Sequence, residues 1–245
     1  MKKYLFLLLL PFLAFASCND DDDEPYYISI ATVDNPDNSA NFYLKLDNNK
    51  RLRVSETNYG GYKPKTGQRI LADYGVLDDN TSGNGYDYSI KLYDAYNILT
   101  KGIFNITPET QDSIGNDPIG LRKMWIGSDF LNVRFVYDGY NQVHYISLVK
   151  DDSKTYDDGK IHLEFRHNAH NDAPMYRSEG WVSFNLTSLV AVPLADAEPL
   201  ELVIHVKRLD GSETTHEFTY NYGSASSEEN VDREMFNSGK STSVE

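Results

Sequence analysis

Hydrophobic and polar residues alternate along most of the chain from Tyr26 onward. A period of two is typical of strands that bury one face, and no window of eleven residues carries a hydrophobic stripe at the helical period. The alternation is most regular in the second half, where each strand has one polar, solvent-facing side and one apolar, core-facing side, as in the sheets of a sandwich. The pattern predicts an all-β protein with strands around residues 28–30, 44–46, 52–54, 70–74, 88–92, 131–137, 161–165, 182–186 and 200–206.

Turn-forming residues divide this pattern into elements. Asp138-Gly139 and Asp210-Gly211 each lie between alternating runs, where an Asp-Gly pair favours a hairpin. Residues 105–117 are rich in Thr, Asn, Asp and Pro and lack periodicity. They predict a boundary between a first domain over residues 26–115 and a second over 116–222. The polar residues 223–245 predict a disordered tail, with a short helix around 228–236 left open.

The N-terminus has a different character from the rest of the chain. Two lysines precede an apolar run from Tyr4 to Phe15, and the pattern over residues 1–17 predicts a secretory signal peptide. The run is shorter than the ~20 apolar residues that a transmembrane helix needs. Cys18, the single cysteine of the chain, follows directly. The stretch before it resembles the lipobox of bacterial lipoproteins, although Phe15 stands where Leu is usual, and the resemblance implies that Cys18 is lipidated and becomes the mature N-terminus.

An acidic run comes next, and it has two interpretations. Asp20, Asp21, Asp22 and Asp23 belong to a segment over residues 18–25 that would serve as a solvated, self-repelling tether. The run also resembles the surface-export signal of lipoproteins in Bacteroidetes. That resemblance implies a protein that is lipid-anchored in the bacterial outer membrane and exposed on the cell surface.

Composition excludes several classes of function. The 245 residues include 23 Lys and Arg against 37 Asp and Glu, which gives a net charge of -14. Such a surface does not neutralise phosphates, so we expect no nucleic-acid partner. A single cysteine excludes a disulfide framework and a multi-thiolate metal site. The sequence has no His-Glu-x-x-His, Gly-x-Ser-x-Gly or Cys-x-x-Cys motif, so we predict neither catalytic residues nor a cofactor.

One loop has the beginning of a calcium-binding pattern. Asp78, Asn80 and Ser82 place oxygen-bearing side chains at alternate positions, and Gly83 follows at the sixth. The twelfth position is Ser89, where a bidentate Glu belongs. The loop is therefore either a calcium site that other carboxylates complete or a flexible connection between strands.

Another candidate metal site follows the strand around residues 161–165. His167 and His170 lie three positions apart and Asp172 follows them, so the types of ligand suit a metal ion. Zinc needs three or four convergent ligands, and spacing after a strand end fixes no such geometry. The alternative is that these side chains organise a loop.

Two further features concern carbohydrate. Tyr59 and Tyr62 flank Gly60-Gly61 and are candidates for stacking on sugar rings, although tyrosines also fill small β cores. Ser113 lies in an Asp-Ser-Ile sequence that resembles the O-glycosylation sequon of Bacteroidetes. Its place in the predicted linker would make it accessible to modification.

The order of several short motifs resembles one protein family over nearly the whole mature chain. The motifs are residues 31–34, 42–47, 51–54, 67–74, 163–170 and 182–186. Together with the lipobox, they resemble the NigD-like lipoproteins of Bacteroidetes. The resemblance implies an N-terminal OB-like barrel followed by an antiparallel β-sandwich. The family takes its name from a bacteriocin gene cluster, in which a member was proposed to be an immunity protein.

Two hypotheses for function follow. The first is a noncatalytic, surface-anchored lipoprotein that binds a protein or glycan outside the cell, with a bacteriocin-immunity role as one version. The second is a carbohydrate-active or metal-dependent enzyme of the outer membrane, which would need a cleft with convergent acids or a filled site at His167, His170 and Asp172. The first hypothesis needs no catalytic motif, which agrees with the sequence.

Overall fold

The computed structural model describes residues 26–35, 42–58, 62–79, 83–190, 198–226 and 244–245. Strands dominate these ranges, which also contain a short α-helix, Gln111–Ile114, and a 3-10 helix, Thr187–Leu189. Neither helix in the described ranges has the length and hydropathy of a membrane span. The predicted signal peptide, Cys18, the acidic run and the predicted helix near residue 230 lie outside the described residues.

The first unit is a small β-barrel. Its strands are β1 (Tyr26–Asp34), β2 (Tyr43–Leu46), β3 (Arg51–Thr57), β4 (Arg69–Asp79) and β5 (Tyr88–Asn97). They close in the order β1-β2-β3-β5-β4. All pairs are antiparallel except β3 with β5, which run parallel. Alternation places Leu44, Leu52 and Ile90 inside the barrel, where they are fully buried.

The second unit is a two-sheet sandwich. Its strands are β6 (Leu99–Lys101), β7 (Ile103–Ile106), β8 (Gly120–Gly127), β9 (Phe130–Gly139), β10 (Tyr145–Asp151), β11 (Ile161–Asn168), β12 (Tyr176–Asn185), β13 (Leu200–Lys207) and β14 (Glu213–Tyr220). One sheet has the order β14-β13-β11-β10-β7 and the other has the order β6-β12-β9-β8. The sheets are mixed, because β7 with β10, β11 with β13 and β6 with β12 run parallel. Phe135, Phe165 and Phe184 meet edge-on or tilted between the sheets and form the centre of the core.

The predicted architecture, a small OB-like barrel followed by a β-sandwich, is confirmed. The strand pairing divides the chain near Ile98, because β6 and β7 already belong to the sandwich sheets. The division predicted between residues 115 and 116 therefore falls inside the second unit. Residues 105–117 lack periodicity because they combine the end of an edge strand, a helical turn and an irregular segment.

The two Asp-Gly pairs have different roles. The hairpin predicted at Asp210-Gly211 is confirmed, since β13 pairs with β14 from Lys207 opposite Glu213 onward and Gly211 has a φ of 81°. The hairpin predicted at Asp138-Gly139 is wrong. Strands β9 and β10 lie in different sheets, so the segment between them crosses from one sheet to the other.

A buried polar network, built on an ion pair within the barrel, joins the barrel to the sandwich. Arg69 of β4 is fully buried and contacts both carboxylate oxygens of Asp47, at 2.6 and 2.9 Å. Arg69 also donates to the Asn132 side-chain oxygen at 3.0 Å, and that oxygen accepts a second hydrogen bond from Ser183 at 2.7 Å. Asn132 and Ser183 belong to the sandwich, so the network spans both units. Its hydrogen bonds satisfy charges that would otherwise be costly to bury.

Close approach at this junction requires a glycine. A Cβ atom on Gly127 would lie 2.1 Å from an Asp47 carboxylate oxygen and 2.8 Å from the Asn132 amide nitrogen. Beside the network, Trp181 of the sandwich packs in one buried cluster with Ile28, Ile30 and Leu71 of the barrel. Polar and apolar contacts therefore hold the two units together at the same place.

We expect Arg69→Met to destabilise the protein by about 3–5 kcal/mol, because it leaves the Asp47 carboxylate buried without its cation. The matched control is Arg51→Met, whose ion pair with Asp34 is partly exposed and should contribute about 0–1 kcal/mol. Denaturant unfolding of both variants measures the difference. Equal losses for the two variants would contradict a special role for the buried pair.

Candidate functional site

Three predicted site residues lie at one end of the sandwich. His167 is near the end of β11, and His170 and Asp172 lie in the loop that leads to β12. The segment between β9 and β10 lies beside this loop and contributes His144, which the sequence analysis did not identify as a site residue. The two loops carry the polar groups of this end of the fold.

These side chains form a linear hydrogen-bond chain. The Asp172 carboxylate contacts His144 Nε2 at 3.1 Å, and His144 Nδ1 contacts His167 Nε2 at 2.8 Å. His167 Nδ1 lies 3.0 Å from the Pro118 carbonyl oxygen. The side chains of His144 and Asp172 are only 1% and 2% exposed. We call this chain, from Asp172 to the Pro118 carbonyl, the histidine network.

The hydrogen bonds fix where the protons lie. A carbonyl only accepts, so His167 Nδ1 donates to Pro118 and, in a neutral ring, Nε2 must accept from His144. Burial lowers the pKa of His167 more than its hydrogen bond to the Pro118 carbonyl raises it, which favours the neutral ring. A carboxylate at Asp172 likewise only accepts. His144 therefore lies between two hydrogen-bond acceptors, His167 Nε2 and the Asp172 carboxylate.

Asp172 also fixes the backbone of the neighbouring loop. Its oxygens accept hydrogen bonds from the backbone amides of Tyr140 and Asn141. Burial alone would raise the pKa of the Asp172 carboxyl. The hydrogen bonds from Tyr140, His144 and Asn141 outweigh burial and hold that pKa well below its usual range. The carboxylate thus joins the β9–β10 loop to the β11–β12 loop.

The β11–β12 loop has an unusual backbone. His170 and Asn171 both have positive φ angles, of 50° and 57°, which L-residues adopt at an energetic cost. Surrounding hydrogen bonds stabilise this conformation. The His170 ring contacts the Val143 carbonyl oxygen at 2.7 Å, and the Ala169 amide donates to Asp117 at 2.8 Å. Strained residues that are held in this way are common at functional sites.

The metal interpretation of His167, His170 and Asp172 does not match this geometry. Both ring nitrogens of His167 are already hydrogen-bonded, one to His144 and one to a carbonyl, and His170 contacts a carbonyl of the other loop. Within the described ranges, no group of three or more His, Cys, Asp or Glu side chains is placed to hold a metal ion. The three residues organise loops instead.

The two loops present a group of exposed hydrophobic side chains. Tyr140 and Tyr176 are 60% and 63% exposed, and their ring centroids are 6.1 Å apart. Tyr145 meets the His170 ring edge-on at 4.4 Å. We call this group the aromatic loop surface; its members are Tyr140, Val143, Tyr145, Met175 and Tyr176. Its link to the histidine network is the Tyr140 backbone amide, which donates to the Asp172 carboxylate.

The other predicted sites are spread over the molecule. Asp78 is exposed near the end of β4, while Asn80 and Ser82 lie outside the described residues, so the calcium site stays a prediction. Tyr59 also lies outside them. The Tyr62 ring is half-buried and 6.0 Å from the Phe42 ring of the barrel core, as a tyrosine that helps to fill a small β core would be.

Ser113 is exposed on the helical turn Gln111–Ile114. Its hydroxyl donates to the Thr110 carbonyl oxygen at 2.8 Å. Its own carbonyl accepts from the Asn168 side chain at 2.8 Å, next to the β11–β12 loop. Glycosylation of Ser113 stays a prediction.

A second pair of histidines lies on the outer face of the five-stranded sheet. His162 of β11 contacts His205 of β13 at 2.9 Å and the Asp158 carboxylate at 3.0 Å. The Tyr156 ring stacks on His162 at 3.5 Å. The sequence places both histidines on the polar faces of their strands. It does not show that β11 and β13 are neighbours, and that pairing brings the two rings together. The pair fastens the β10–β11 loop to the sheet.

We expect Gly139→Ala to disturb the histidine network. A Cβ atom there would lie 2.7 Å from His144 Nε2 and 2.9 Å from an Asp172 oxygen, which forces those groups apart. The loss of stability should be roughly 1–3 kcal/mol, with faster amide exchange at Tyr140 and Asn141. Gly102→Ala is the control, because its Cβ meets nothing within 4 Å. Unchanged exchange in Gly139→Ala would show that the network does not hold the loops.

Comparisons with known proteins agree with this architecture. Residues 30–98 match the model of the NigD-like N-terminal OB domain, and residues 102–220 match that of the NigD-like C-terminal beta sandwich domain. No curated protein matches the chain.

Several solved structures from Bacteroides and Parabacteroides species are similar. A protein of unknown function from Bacteroides vulgatus shares 28% identity with a TM-score of 0.75, covering 88% of this chain and 100% of that one. A protein described as toxin-related from Parabacteroides distasonis shares 33% identity with a TM-score of 0.68, covering 80% and 94%. A NigD-like immunity protein from Bacteroides caccae shares the fold, with 20% identity, a TM-score of 0.59 and coverage of 80% and 96%. The family models and these structures establish that this chain belongs to the NigD-like family.

Proposed function

We propose that this protein is a noncatalytic lipoprotein, anchored at the outer membrane through Cys18 and exposed on the cell surface, where it binds a protein of the bacteriocin type and confers immunity. The observation that carries the proposal is the aromatic loop surface, which the histidine network holds in place. The barrel and the sheets serve as the scaffold for that surface.

The composition of the surface suits a protein partner. Tyrosine and methionine are enriched in protein interfaces, because tyrosine buries a large area with few rotatable bonds and the flexible methionine side chain adapts to a partner. Neighbouring exposed hydrophobic side chains on a folded domain mark interaction sites more often than scattered ones do. Tyr140 and Tyr176 are the most exposed rings of this group and are its expected binding anchors.

Preorganisation supports the same reading. A loop that must become ordered on binding loses conformational entropy, which weakens the complex. Here Asp172 fixes the Tyr140 and Asn141 amides, and His170 fixes the Val143 carbonyl, before any partner arrives. The loops therefore lose little conformational entropy on binding, and less of the favourable free energy of the contacts is offset.

Charge suggests the kind of partner. Removal of the predicted signal peptide takes away Lys2 and Lys3, which leaves 21 basic and 37 acidic residues and a net charge of -16. An acidic protein attracts a basic one over long distances, and salt weakens that attraction. We therefore expect a basic partner whose association slows as ionic strength rises.

The noncatalytic assignment rests on the chemistry of the network. Its Asp-His arrangement is one that hydrolases use to activate a hydroxyl or thiol. Here the chain of hydrogen bonds ends at the Pro118 carbonyl, which can serve neither as nucleophile nor as proton donor. The immunity and toxin-related descriptions of the similar structures belong to those proteins, and they favour a toxin as the partner sought for this one.

The anchor is tested by fractionation. We expect the full chain to partition with outer membranes, and Cys18→Ala to release it into the soluble fraction because no acyl chain remains. Replacement of Asp20 to Asp23 by alanine should keep it in the membrane but protect it from protease added to intact cells. Membrane retention of Cys18→Ala would contradict lipidation, and unchanged protease sensitivity of the second variant would contradict an export signal.

The immunity role is tested by protection. A sensitive Bacteroides strain that expresses the protein should survive culture supernatant from a bacteriocin-producing strain. Tyr140→Ala with Tyr176→Ala should abolish this survival, because truncation of anchor residues costs about 2 kcal/mol or more each, roughly a thirtyfold loss of affinity. Tyr222→Ala, at another exposed tyrosine, is the matched control. An absence of protection, or equal protection by the double variant, would contradict the proposal.

A further inference from the structure

A pocket of about 330 Å³ opens on the barrel, away from the aromatic loop surface. Its floor consists of aliphatic side chains from inside the barrel, Leu46, Leu52 and Val76. Pockets of this size hold small ligands, and the mouth of a β-barrel is a common place for them. The remaining lining residues are Tyr27, Lys50, Tyr74, Asp79 and Tyr88.

Tyrosine rings form one wall of the pocket. Tyr27 stacks on Tyr74 with centroids 5.7 Å apart and an angle of 25° between the ring planes. Tyr74 is buried and its hydroxyl lies 3.3 Å from the Ser29 hydroxyl, so it supports the Tyr27 ring from behind. Tyr27 remains 44% exposed. The pair offers a fixed, flat apolar face to a ligand.

A positively charged donor and a negatively charged acceptor lie beside this wall. Lys50 is 3.4 Å from the Tyr88 hydroxyl, to which its ammonium group donates, and it has further N–H donors to offer. Asp79 is exposed, and within the described ranges its carboxylate makes no side-chain hydrogen bond or ion pair. The pocket therefore combines a positioned cation, a phenol and an exposed carboxylate.

A break in the strand pairing brings Asp79 to the pocket. Along β4, Tyr74 and Val76 share one face, and regular alternation would place Asp78 there and Asp79 on the other side. The register with β5 shifts between Val76 and Asp78, and a bulge of this kind re-aims the side chains that follow it. Asp79 consequently lines the pocket and Asp78 does not.

We infer that this pocket binds a hexopyranose ring. One face of such a ring consists of C–H groups, which pack on an aromatic plane, and its rim carries hydroxyls that both donate and accept. The Tyr27 ring provides the plane. Asp79 accepts from two adjacent hydroxyls, and Lys50 and Tyr88 donate to others. This site lies on a different unit from the proposed protein-binding surface and adds a second ligand class to the protein.

The alternatives fit the pocket less well. An anionic ligand would meet Lys50 but would be repelled by the exposed Asp79 carboxylate and by the net charge of -14. A purely apolar ligand would leave the carboxylate and the ammonium without partners when water is displaced. A neutral polyhydroxylated ring satisfies both charges with hydrogen bonds.

Saturation-transfer NMR on the mature lipidated chain in detergent micelles tests this inference. The probes are glucose, galactose, mannose and N-acetylglucosamine, each as the free sugar and as a β-linked disaccharide, with the open-chain polyol sorbitol as the ligand control. We expect transfer to the C–H protons of at least one pyranose and none to sorbitol. Binding of both forms indicates a site for any ring of that sugar, and binding of the disaccharide alone indicates a glycan chain as the source.

Variants locate the site. Asp79→Asn should weaken binding roughly tenfold or more, because hydrogen bonds to a charged acceptor are lost, and Tyr27→Ala should do the same through the stacking face. Asp78→Asn is the matched control, one residue away but outside the pocket. All three positions are exposed, so unchanged thermal unfolding serves as a check on the fold. No transfer to any sugar, or equal binding by wild type and Asp79→Asn, would overturn the inference.

Discussion

The buried ion pair between Arg69 and Asp47 is the interaction on which the arrangement of the two units depends. Removing either charge from water alone would cost several kcal/mol. Hydrogen bonds at both terminal nitrogens of Arg69 and at both carboxylate oxygens of Asp47 offset that cost, while the buried Arg69 Nε has no partner among the described residues. Asn132 of the sandwich accepts from Arg69 and donates to Asp47, and Ser183 donates to the Asn132 side-chain oxygen. Packing around Trp181 would tolerate a range of relative positions, whereas fixed donors and acceptors fit only one. We interpret the polar network as the feature that sets the register between barrel and sandwich.

The same physical solution recurs at the other end of the sandwich. The histidine network likewise consists of buried, hydrogen-bonded polar groups, and it joins two loops as the first network joins two units. In both places a glycine allows the charged groups to approach the backbone, Gly127 beside Asp47 and Gly139 beside Asp172. Buried polar networks thus fix the backbone at places that the hydrophobic core does not reach, which are the junction between the units and the loops at the end of the sandwich. The histidine network in this way fixes the loops that carry the aromatic loop surface.

Alternation in the sequence predicted the strands that bury one face, including β9, β11 and β13, because hydropathy alone decides which of their side chains face the core. It missed strands in which the hydropathy pattern does not show which side chains face the core. In β8 the register shifts between Leu121 and Lys123, which interrupts the period of two. Strand β14 is an edge with exposed Thr and Glu side chains, and β6 and β7 are only 3 and 4 residues long. The sequence also could not reveal that Asp138-Gly139 crosses between sheets.

The candidate sites were predictable only in part, for a related reason. His167 and Asp172 were identified by residue type, but their role depends on His144, which the fold brings to them from another loop. Asp79 enters its pocket because of a bulge, and His170 meets Tyr145 and the Val143 carbonyl because its backbone is left-handed. Both candidate surfaces thus lie where regular β geometry ends. At such positions the backbone conformation, and not the hydropathy of the side chain, determines which way a residue points, so alternation carries no information about them.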